Sequence, residues 1–419
     1  MKSIKKQQGV AGIIYIMMLP AMMMILAFTM QLSQQFLAHA RLSEASEVAS
    51  LALIASPKED DENNVSYARK LVDRYVVDNI DDIKVTVKNK RCEYKDGCVQ
   101  SSGEAAPFTD FTVAATAKHK SWISYENISL KPEFTVNGSS VTRKFLPQPV
   151  DVYFIVDMSA SMRATWQNGK SQIDEVKNVI TRVVNDLKDF DTEVKSRVAL
   201  LGYHNFNIKQ GGRSLEAYDY ALYNTPQQTV SNMFFPPKRV NPGDSALFSH
   251  RDIDLTQNYS SFLQIMNDRN FYPPRSACTE SWQGIIAAAQ AADKATDINP
   301  EQVFIILSDG ADCPWQRQDR WGRLRTTEYY LKKLVDGGLC KNLKQRIRQK
   351  PNRFQSSTPT ENEKTKVTMG VIGVNYQVNP NDGFGDCVGR ENIYHATQGE
   401  DVYKYILNLI NEETGRLKD

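Results

Sequence analysis

Oxygen-bearing side chains stand where two apolar runs end. VDVYFIVD passes into DMSAS, which places Asp157, Ser159 and Ser161 at alternate positions, and QVFIILSD passes into DGAD, with Asp309 at the junction. A loop turning over a strand end can aim alternating residues at one point, and in an open parallel sheet ligands gather outside the carboxyl ends of the strands. One carboxylate and two hydroxyls, joined by a second carboxylate, form an oxygen-only set of mixed charge. Such a set suits a hard cation, Mg2+ or Ca2+, with Mn2+ as a further candidate. Hydrolytic chemistry fits less well. Ser159 or Ser161 as a nucleophile needs a base, no G-x-S-x-G is evident, and His204 in LLGYHNF is read as a structural histidine near a strand end. Asp312 is read as a turn residue. NPNDGFGD, with Asn379, Asn381, Asp382 and Asp386, lacks the spaced glutamate of a calcium loop and is also read as a turn.

These donors need a rigid scaffold, and the pattern from Val150 onward supplies one. VDVYFIVD, SRVALLGYHNF, QVFIILSD and KVTMGVIGVN are nearly continuous apolar runs, separated by the helical patterns QIDEVKNVITRVVNDL and ESWQGIIAAAQAAD and closed by DVYKYILNLINEE. Strands without polar alternation, interleaved with helices, predict a parallel or mixed sheet covered on both faces. Two long connections interrupt the pattern. Asn205 to Ala277 shows no clear periodicity and is expected to elaborate one edge of the domain. Pro314 to Lys366 contains a basic helix around LKKLVDGGLCKNLKQRIRQK, whose Lys341 to Lys350 portion is read as a solvated face.

Upstream, PKEDDENN reads as a surface turn and VSYARKLVDRYVVDNI as an amphipathic helix. DIKVTVKN, FTDFTVAATAKHK and LKPEFTVNGSSVTRKF read as antiparallel strands with one buried face. The start of the chain differs in kind. Lys2, Lys5 and Lys6 precede a segment from Val10 to Thr29 that carries no charge, and the next charged residue is Arg41. That length matches a bilayer-spanning helix, and the lysines favour a cytoplasmic N-terminus with the bulk of the chain exported. A cleavable signal peptide is the rival reading. The apolar stretch is longer than usual for one and runs without a break into a helical extension, so an anchor is expected, kinked at Pro20. Ala38, Ala40, Ala45 and Ala49 on that extension either permit close packing with a partner helix or are simply good helix formers. The expected domains are 1–54 (cytoplasmic start, span at about 10–29 and helical extension), 55–148 (α+β, membrane-proximal) and 149–419 (α/β), with LPQP at the second boundary.

The 419 residues carry a net charge of only +2 with no long run of one sign, so nothing points to nucleic acid. All six cysteines lie beyond the span, and an even count in an oxidising compartment reads as disulfides. Cys92 and Cys98 flank EYKDG and can close locally. Cys278, Cys313, Cys340 and Cys387 allow three pairings. No C-x-x-C cluster and no H-x-x-x-H pair occurs, which makes a zinc enzyme improbable.

DMSAS, Thr279 in CTESWQG ahead of Gly284, and SDG at Asp309 together resemble the metal-ion-dependent adhesion site (MIDAS) of the von Willebrand factor A family, in the family's order. The resemblance implies a doubly wound, Rossmann-like domain binding Mg2+ (or Mn2+ or Ca2+). Ser159, Ser161 and sometimes Thr279 would touch the ion, Asp157 and Asp309 would often act through water, and a carboxylate from a protein partner would complete the coordination. A second resemblance joins QQGVAGIIYIMMLPAMMMILAFTMQ and ARLSEASEVASLALIA to the start of TadG- and TadE-like proteins of tight-adherence (Flp) pilus systems, many TadG proteins also carrying a C-terminal von Willebrand A-like domain. The two resemblances cover Gln7 to Ala55 and roughly Val150 to Asn411. Ile14 stands where processed pilin-like members have a glutamate, so the span is expected to stay. CVGRENIYHAT is similar to a late TadG segment, which implies the pairs Cys340–Cys387 and Cys278–Cys313, the latter tying the loops of Thr279 and Asp309 together. The implied protein is a non-enzymatic, single-pass inner-membrane component of pilus assembly or adhesion, facing the periplasm and meeting pilin or assembly proteins. A surface adhesin for host or matrix ligands and an envelope hydrolase are the alternatives.

Overall fold

The computed structural model describes residues 10–55, 61–76, 78–92, 97–102, 107–124, 130–145, 148–166, 169–189, 194–212, 214–221, 225–243, 247–248, 250–318, 324–355 and 363–411. The chain falls into two units, Met1–Val99 with Pro107–Leu146, and Pro147–Asp419 with Gln100–Ala106.

The first unit begins with helix α1 (Val10–Ala55), 46 residues continuous through Pro20. Its apolar first half is exposed and is long enough to cross a bilayer. In its second half Leu42, Ala45, Ala49 and Leu53, spaced by three and four, are fully buried. They share a core with Ala68 and Val72 of α2 (Asp61–Tyr75) and with a small antiparallel sheet. Ala45 and Ala49 are thus spent inside this unit rather than on a partner helix. Of the PKEDDENN read as a surface turn, residues 57–60 lie outside the described residues, and DENN forms the first turn of α2, where acidic side chains favour the helix N-terminus. The sheet order is β1 (Lys84–Cys92), β2 (Phe108–Lys120), β3 (Glu133–Phe145), with Val113 opposite Val87 and Ser140. Burial alternates along β2, as its period-two pattern predicts. Between β1 and β2 a short helix α3 (Cys98–Ser102) begins at a disulfide from Cys98 to Cys92.

The second unit is wound around one sheet. In chain order its elements are β4 (Val150–Asp157), α4 (Gln172–Asp189), β5 (Arg197–Tyr203), β6 (Asn207–Gly211), β7 (Ser214–Asp219), α5 (Pro226–Ser231), β8 (Lys238–Val240), β9 (Ile253–Thr256), α6 (Tyr259–Met266) and α7 (Ser281–Lys294). They continue as β10 (Glu301–Ser308), β11 (Trp315–Gln318), β12 (Leu324–Thr327), α8 (Tyr330–Asp336), α9 (Leu339–Arg348), β13 (Lys366–Val374), α10 (Phe384–Val388), β14 (Ile393–Ala396) and α11 (Gly399–Asn411). The order across the sheet is β14-β13-β10-β4-β5-β6-β7-β8, with β9 also paired to β5. From β14 to β5 all neighbours are parallel; from β5 outward they are antiparallel. The winding therefore steps from β4 to β5 on one side and resumes at β10 on the other, so the order reverses between β4 and β10.

Every residue of β4 and β10 is buried, because helices cover both faces. Tyr153 and Ile155 pack with Trp282, Ile285 and Ile286 of α7 and with α8 and α9, while Val152, Phe154 and Val156 pack with α4, α6 and α11. Helix α4 starts where Ser171 and Asp174 cap each other: Asp174 N–H donates to Ser171 Oγ at 3.2 Å and Ser171 Oγ to Asp174 Oδ2 at 2.5 Å. Its buried Ile173, Val176, Ile180, Val183 and Leu187 form one stripe, each contributing at most about 1.5–3 kcal/mol of apolar burial. At the amino ends of the strands, fully buried Asp151 accepts a bidentate pair from Arg197 (2.8 and 2.6 Å), two bonds from Asn299 (3.0 and 2.8 Å) and one from Gln302 at 2.8 Å.

Two expectations need correction. The connection from Asn205 to Ala277 is not patternless, since β6 to β9, α5 and α6 lie within it and extend the sheet beyond β5. These strands are three to six residues long, too short to display alternation. The basic helix is two helices, α8 and α9, because Gly338 takes the left-handed φ of +99° that ends one and opens the next.

Candidate metal centre

Asp157 closes β4 and is completely buried. Its Oδ1 accepts from the Ser159 N–H at 2.8 Å, and its Oδ2 lies 3.0 Å from Ser308 Oγ at the end of β10. The loop stays against the sheet because Met158 N–H donates to Tyr203 O at 2.7 Å and buried Met158 and Met162 fill the space beneath. A single 3-10 turn (Ala160–Arg163) then swings the next hydroxyl round. Ser159 Oγ and Ser161 Oγ stand 2.9 Å apart, and Ser161 Oγ donates to Asp309 Oδ1 at 2.8 Å. Asp157, Ser159, Ser161 and Asp309 thus form one hydrogen-bonded chain across the carboxyl ends of β4 and β10. This is the point where the strand order reverses, and open α/β sheets bind ligands in that crevice.

Thr279 does not join that chain: among the described residues no hydrogen bond links its hydroxyl to Ser159, Ser161 or Asp309. Its backbone, however, is fixed on both sides. Ala160 N–H donates to Ala277 O at 2.9 Å, Cys313 N–H donates to Thr279 O at 2.8 Å, and the Cys278–Cys313 disulfide ties the loop of Thr279 to the loop that follows Asp309. The pairs Cys92–Cys98, Cys278–Cys313 and Cys340–Cys387 are those expected. Helix α7 departs from this loop, and Gly284 lets it cross the sheet closely, since a Cβ there would lie 2.6 Å from Ile155 Cγ2 and from Tyr203 Cδ1.

Asp312 has a definite task. It caps α7, accepting from Ser281 N–H at 2.9 Å and from Ser281 Oγ–H at 2.8 Å. His204 is turned away from the serines, accepting the Phe206 N–H on Nδ1 and meeting Leu247 O with Nε2, each at 3.1 Å. Burial lowers its pKa to about 4. Ser308, buried Glu280 and Asn205, whose Oδ1 accepts the Cys278 N–H at 2.9 Å, were not singled out from the sequence. Ser308 was visible as the residue before Asp309; Glu280 and Asn205 stand at the ends of the runs ESWQGIIAAAQAAD and SRVALLGYHNF, but what they touch is set by tertiary packing.

The electrostatics favour a cation. Burial first, and the charge of Asp309 second, push the Asp157 carboxyl up to about 7 against its bonds from Ser159 and Ser308. Burial raises Asp309 to about 6 against its bond from Ser161, and Asp312 to about 8 against those from Ser281. Among the described residues no Lys, Arg or His is ion-paired with any of the three. Nor do three His, Cys, Asp or Glu side chains gather there closely enough to cage an ion by themselves. The donors that do meet there are the hydroxyls of Ser159 and Ser161 and the carboxylates of Asp157 and Asp309, an oxygen set whose chemistry fits a hard ion that keeps part of its water.

No protein-family model matches the chain, and no curated protein matches it. Among solved structures it is similar to the pilus adhesin SpaC of Lactobacillus rhamnosus GG, with 11% identity over 79% of this chain and a TM-score of 0.38. The matched part is about a third (34%) of that adhesin's length. It is also similar to the PilB minor pilin of Streptococcus sanguinis, with 11% identity, 79% of this chain, 78% of that one and a TM-score of 0.35. Proximal thread matrix protein 1 of the mussel byssus, solved with a zinc-occupied MIDAS motif, aligns over 64% of this chain and 46% of its own at 12% identity and a TM-score of 0.34.

Proposed function

We propose that the second unit is a von Willebrand A-type module that binds one divalent cation, Mg2+ with Mn2+ or Ca2+ as substitutes, and through it the carboxylate of a protein partner. One observation carries this reading: the hydrogen-bonded chain from Asp157 through Ser159 and Ser161 to Asp309 at the reversal of strand order. Ser159 and Ser161 would offer neutral oxygens, Asp157 and Asp309 the charge, and Thr279 a further hydroxyl from its pinned loop. Bound there, the ion would supply a Lewis-acidic site for an incoming carboxylate. The module is non-catalytic in this reading, in keeping with a His204 engaged elsewhere.

The rest of the chain supports a setting for it. An exposed apolar helix preceded by Lys2, Lys5 and Lys6, with three disulfides beyond it, fits a single-pass anchor in a bacterial inner membrane and a periplasmic bulk. We assign the protein to tight-adherence pilus assembly or adhesion, with pilin or assembly proteins as partners. Titrating Mg2+ into the full chain in detergent, before and after EDTA, tests the ion site. Saturable, EDTA-reversible binding that Asp157→Ala removes is expected, together with loss of piliation in the same strain; no binding, or normal piliation with Asp157→Ala, overturns the reading. Protease treatment of intact cells separates a periplasmic module, which stays protected, from a surface adhesin, which is shaved.

A further inference from the structure

Helix α9 carries a second surface feature that the ion site does not use. Between α9 and α10 lies a groove of about 470 Å3 lined by Lys341, Lys344, Gln345, Arg348, Gln349 and the short segment at Asp386 and Cys387. The four α9 residues and Gln349, which caps the helix, are spaced i, i+3, i+4, i+7 and i+8, so they form one stripe along it. The neighbouring cations are occupied. Arg346 is paired with Asp293, its Nε 2.7 Å from Oδ1, and Lys350 donates to the carbonyls of Ala292, Asp293 and Ala295 at the end of α7. Lys341 and Arg348, by contrast, are exposed and form no ion pair among the described residues. Lys344 donates to Cys387 O at 2.8 Å, and burial together with the charge of Arg348 lowers its pKa. Three cations thus line one groove; the carboxylates nearby are Asp386, which also lies 3.9 Å from Lys332 Nζ, and Glu391, whose charge acts on Lys344, while Lys341 and Arg348 pair with neither. The walls are fixed to each other by the Cys340–Cys387 disulfide, so the crowding is built in rather than relieved by motion.

We propose that this groove binds an acidic peptide segment of a partner protein. The charge asks for carboxylates, since exposed cations without partners gain from an anion that also accepts hydrogen bonds. The shape and the amides point to a peptide rather than a compact anion. From Lys341 to Arg348 the stripe extends about 10 Å along the helix, a reach suited to two separated carboxylates. Gln345 and Gln349 offer acceptors as well as donors, which a peptide backbone uses and a phosphate does not. Asp386 at the α10 side would repel a dense polyanion yet can accept a peptide N–H. The surface is independent of the ion site and of the function assigned to it.

The test is a fluorescence-polarisation titration of the full chain in detergent with a labelled oligoglutamate peptide, in EDTA so that no metal can capture its carboxylates. Binding that weakens with added salt and is absent for an oligoglutamine peptide is expected. Lys341→Glu with Arg348→Glu should weaken it at least about tenfold, and the milder Lys341→Gln with Arg348→Gln several-fold, with circular dichroism unchanged, whereas Lys88→Glu in β1 should leave it intact. Equal binding of the two peptides, or binding indifferent to both double substitutions, overturns the proposal. So does peptide-free binding of pyrophosphate, or of phosphatidylglycerol vesicles, through the same side chains.

Discussion

Replacing Asp157 with Asn should stabilise the metal-free protein while abolishing its response to metal. The carboxyl is fully buried, and burial with the nearby Asp309 charge lifts it from an ordinary 3.8 to about 7. A carboxyl raised in this way favours the folded state only while protonated. Its contribution is complete below the unfolded value and is lost as pH climbs through the folded one, here between about 4 and about 7. At about 1.4 kcal/mol per pH unit, the penalty of holding it ionised near pH 8 is bounded at about 4 kcal/mol. Relaxation of the surrounding dipoles, which gives even buried sites an effective dielectric of about 20, should reduce that to about 1–3 kcal/mol, or several degrees in Tm for a unit of this size. Asn preserves the geometry: it still accepts the Ser159 N–H, and Ser308 Oγ can accept its amide while donating to Gly310 O, 3.0 Å away. In Mg2+ the order should reverse, because wild type gains about 4 kcal/mol at a thousandfold excess over Kd and the variant gains none. Thermal melts of the full chain followed by tryptophan fluorescence, in EDTA at about pH 5 and about pH 8 and then in Mg2+, read all three effects. A variant less stable than wild type in EDTA at high pH, or one that keeps its Mg2+ shift, would refute the reasoning.

Three other variants probe the scaffold of the second unit. Cys278→Ser with Cys313→Ser opens a link across 35 residues, which should cost about 3–4 kcal/mol and weaken Mg2+ binding; calorimetric titration showing unchanged affinity would mean the bridge does not position the Thr279 loop. Gly284→Ala forces a methyl to 2.6 Å from Ile155 and Tyr203, so a loss of about 1–3 kcal/mol with weakened ion binding is expected in denaturant and metal titrations. Asp151→Ala strips the partner from part-buried Arg197 and the acceptor from the buried amides of Asn299 and Gln302, and should cost about 3 kcal/mol in urea unfolding. Because Asp151 sits at the opposite end of β4 from Asp157, Mg2+ affinity of the folded fraction should not change.

The parallel core was legible because its strands are buried on both faces. Continuous apolar runs such as VDVYFIVD and QVFIILSD declare themselves without any tertiary information, and each strand end marks where a donor can stand. Local chemistry such as the Ser171–Asp174 cap was equally open to reading. What escaped depends on partners distant in sequence. Strands β6 and β9 pair with β5, β7 with β6 and β8 with β7, so each is held by its neighbour and the short segments need no pattern of their own. Asp312 looked like a turn residue because its partner, Ser281, is 31 positions earlier. The break between α8 and α9 was written in Gly337 and Gly338 but was masked by the apolar spacing on either side. For Thr279 the order of motifs located the loop; the direction of a hydroxyl is set by packing, which a sequence does not display.

The continuity of α1 has a mechanical corollary. One uninterrupted helix is both the apolar rod at the start of the chain and, through Leu42, Ala45, Ala49 and Leu53, an inner wall of the first unit. No hinge separates the two roles, so a tug or a twist applied to the rod is delivered along its axis straight into the β1–β3 core. A load that would merely stretch a flexible tether must here either turn the whole unit or peel the helix from its sheet.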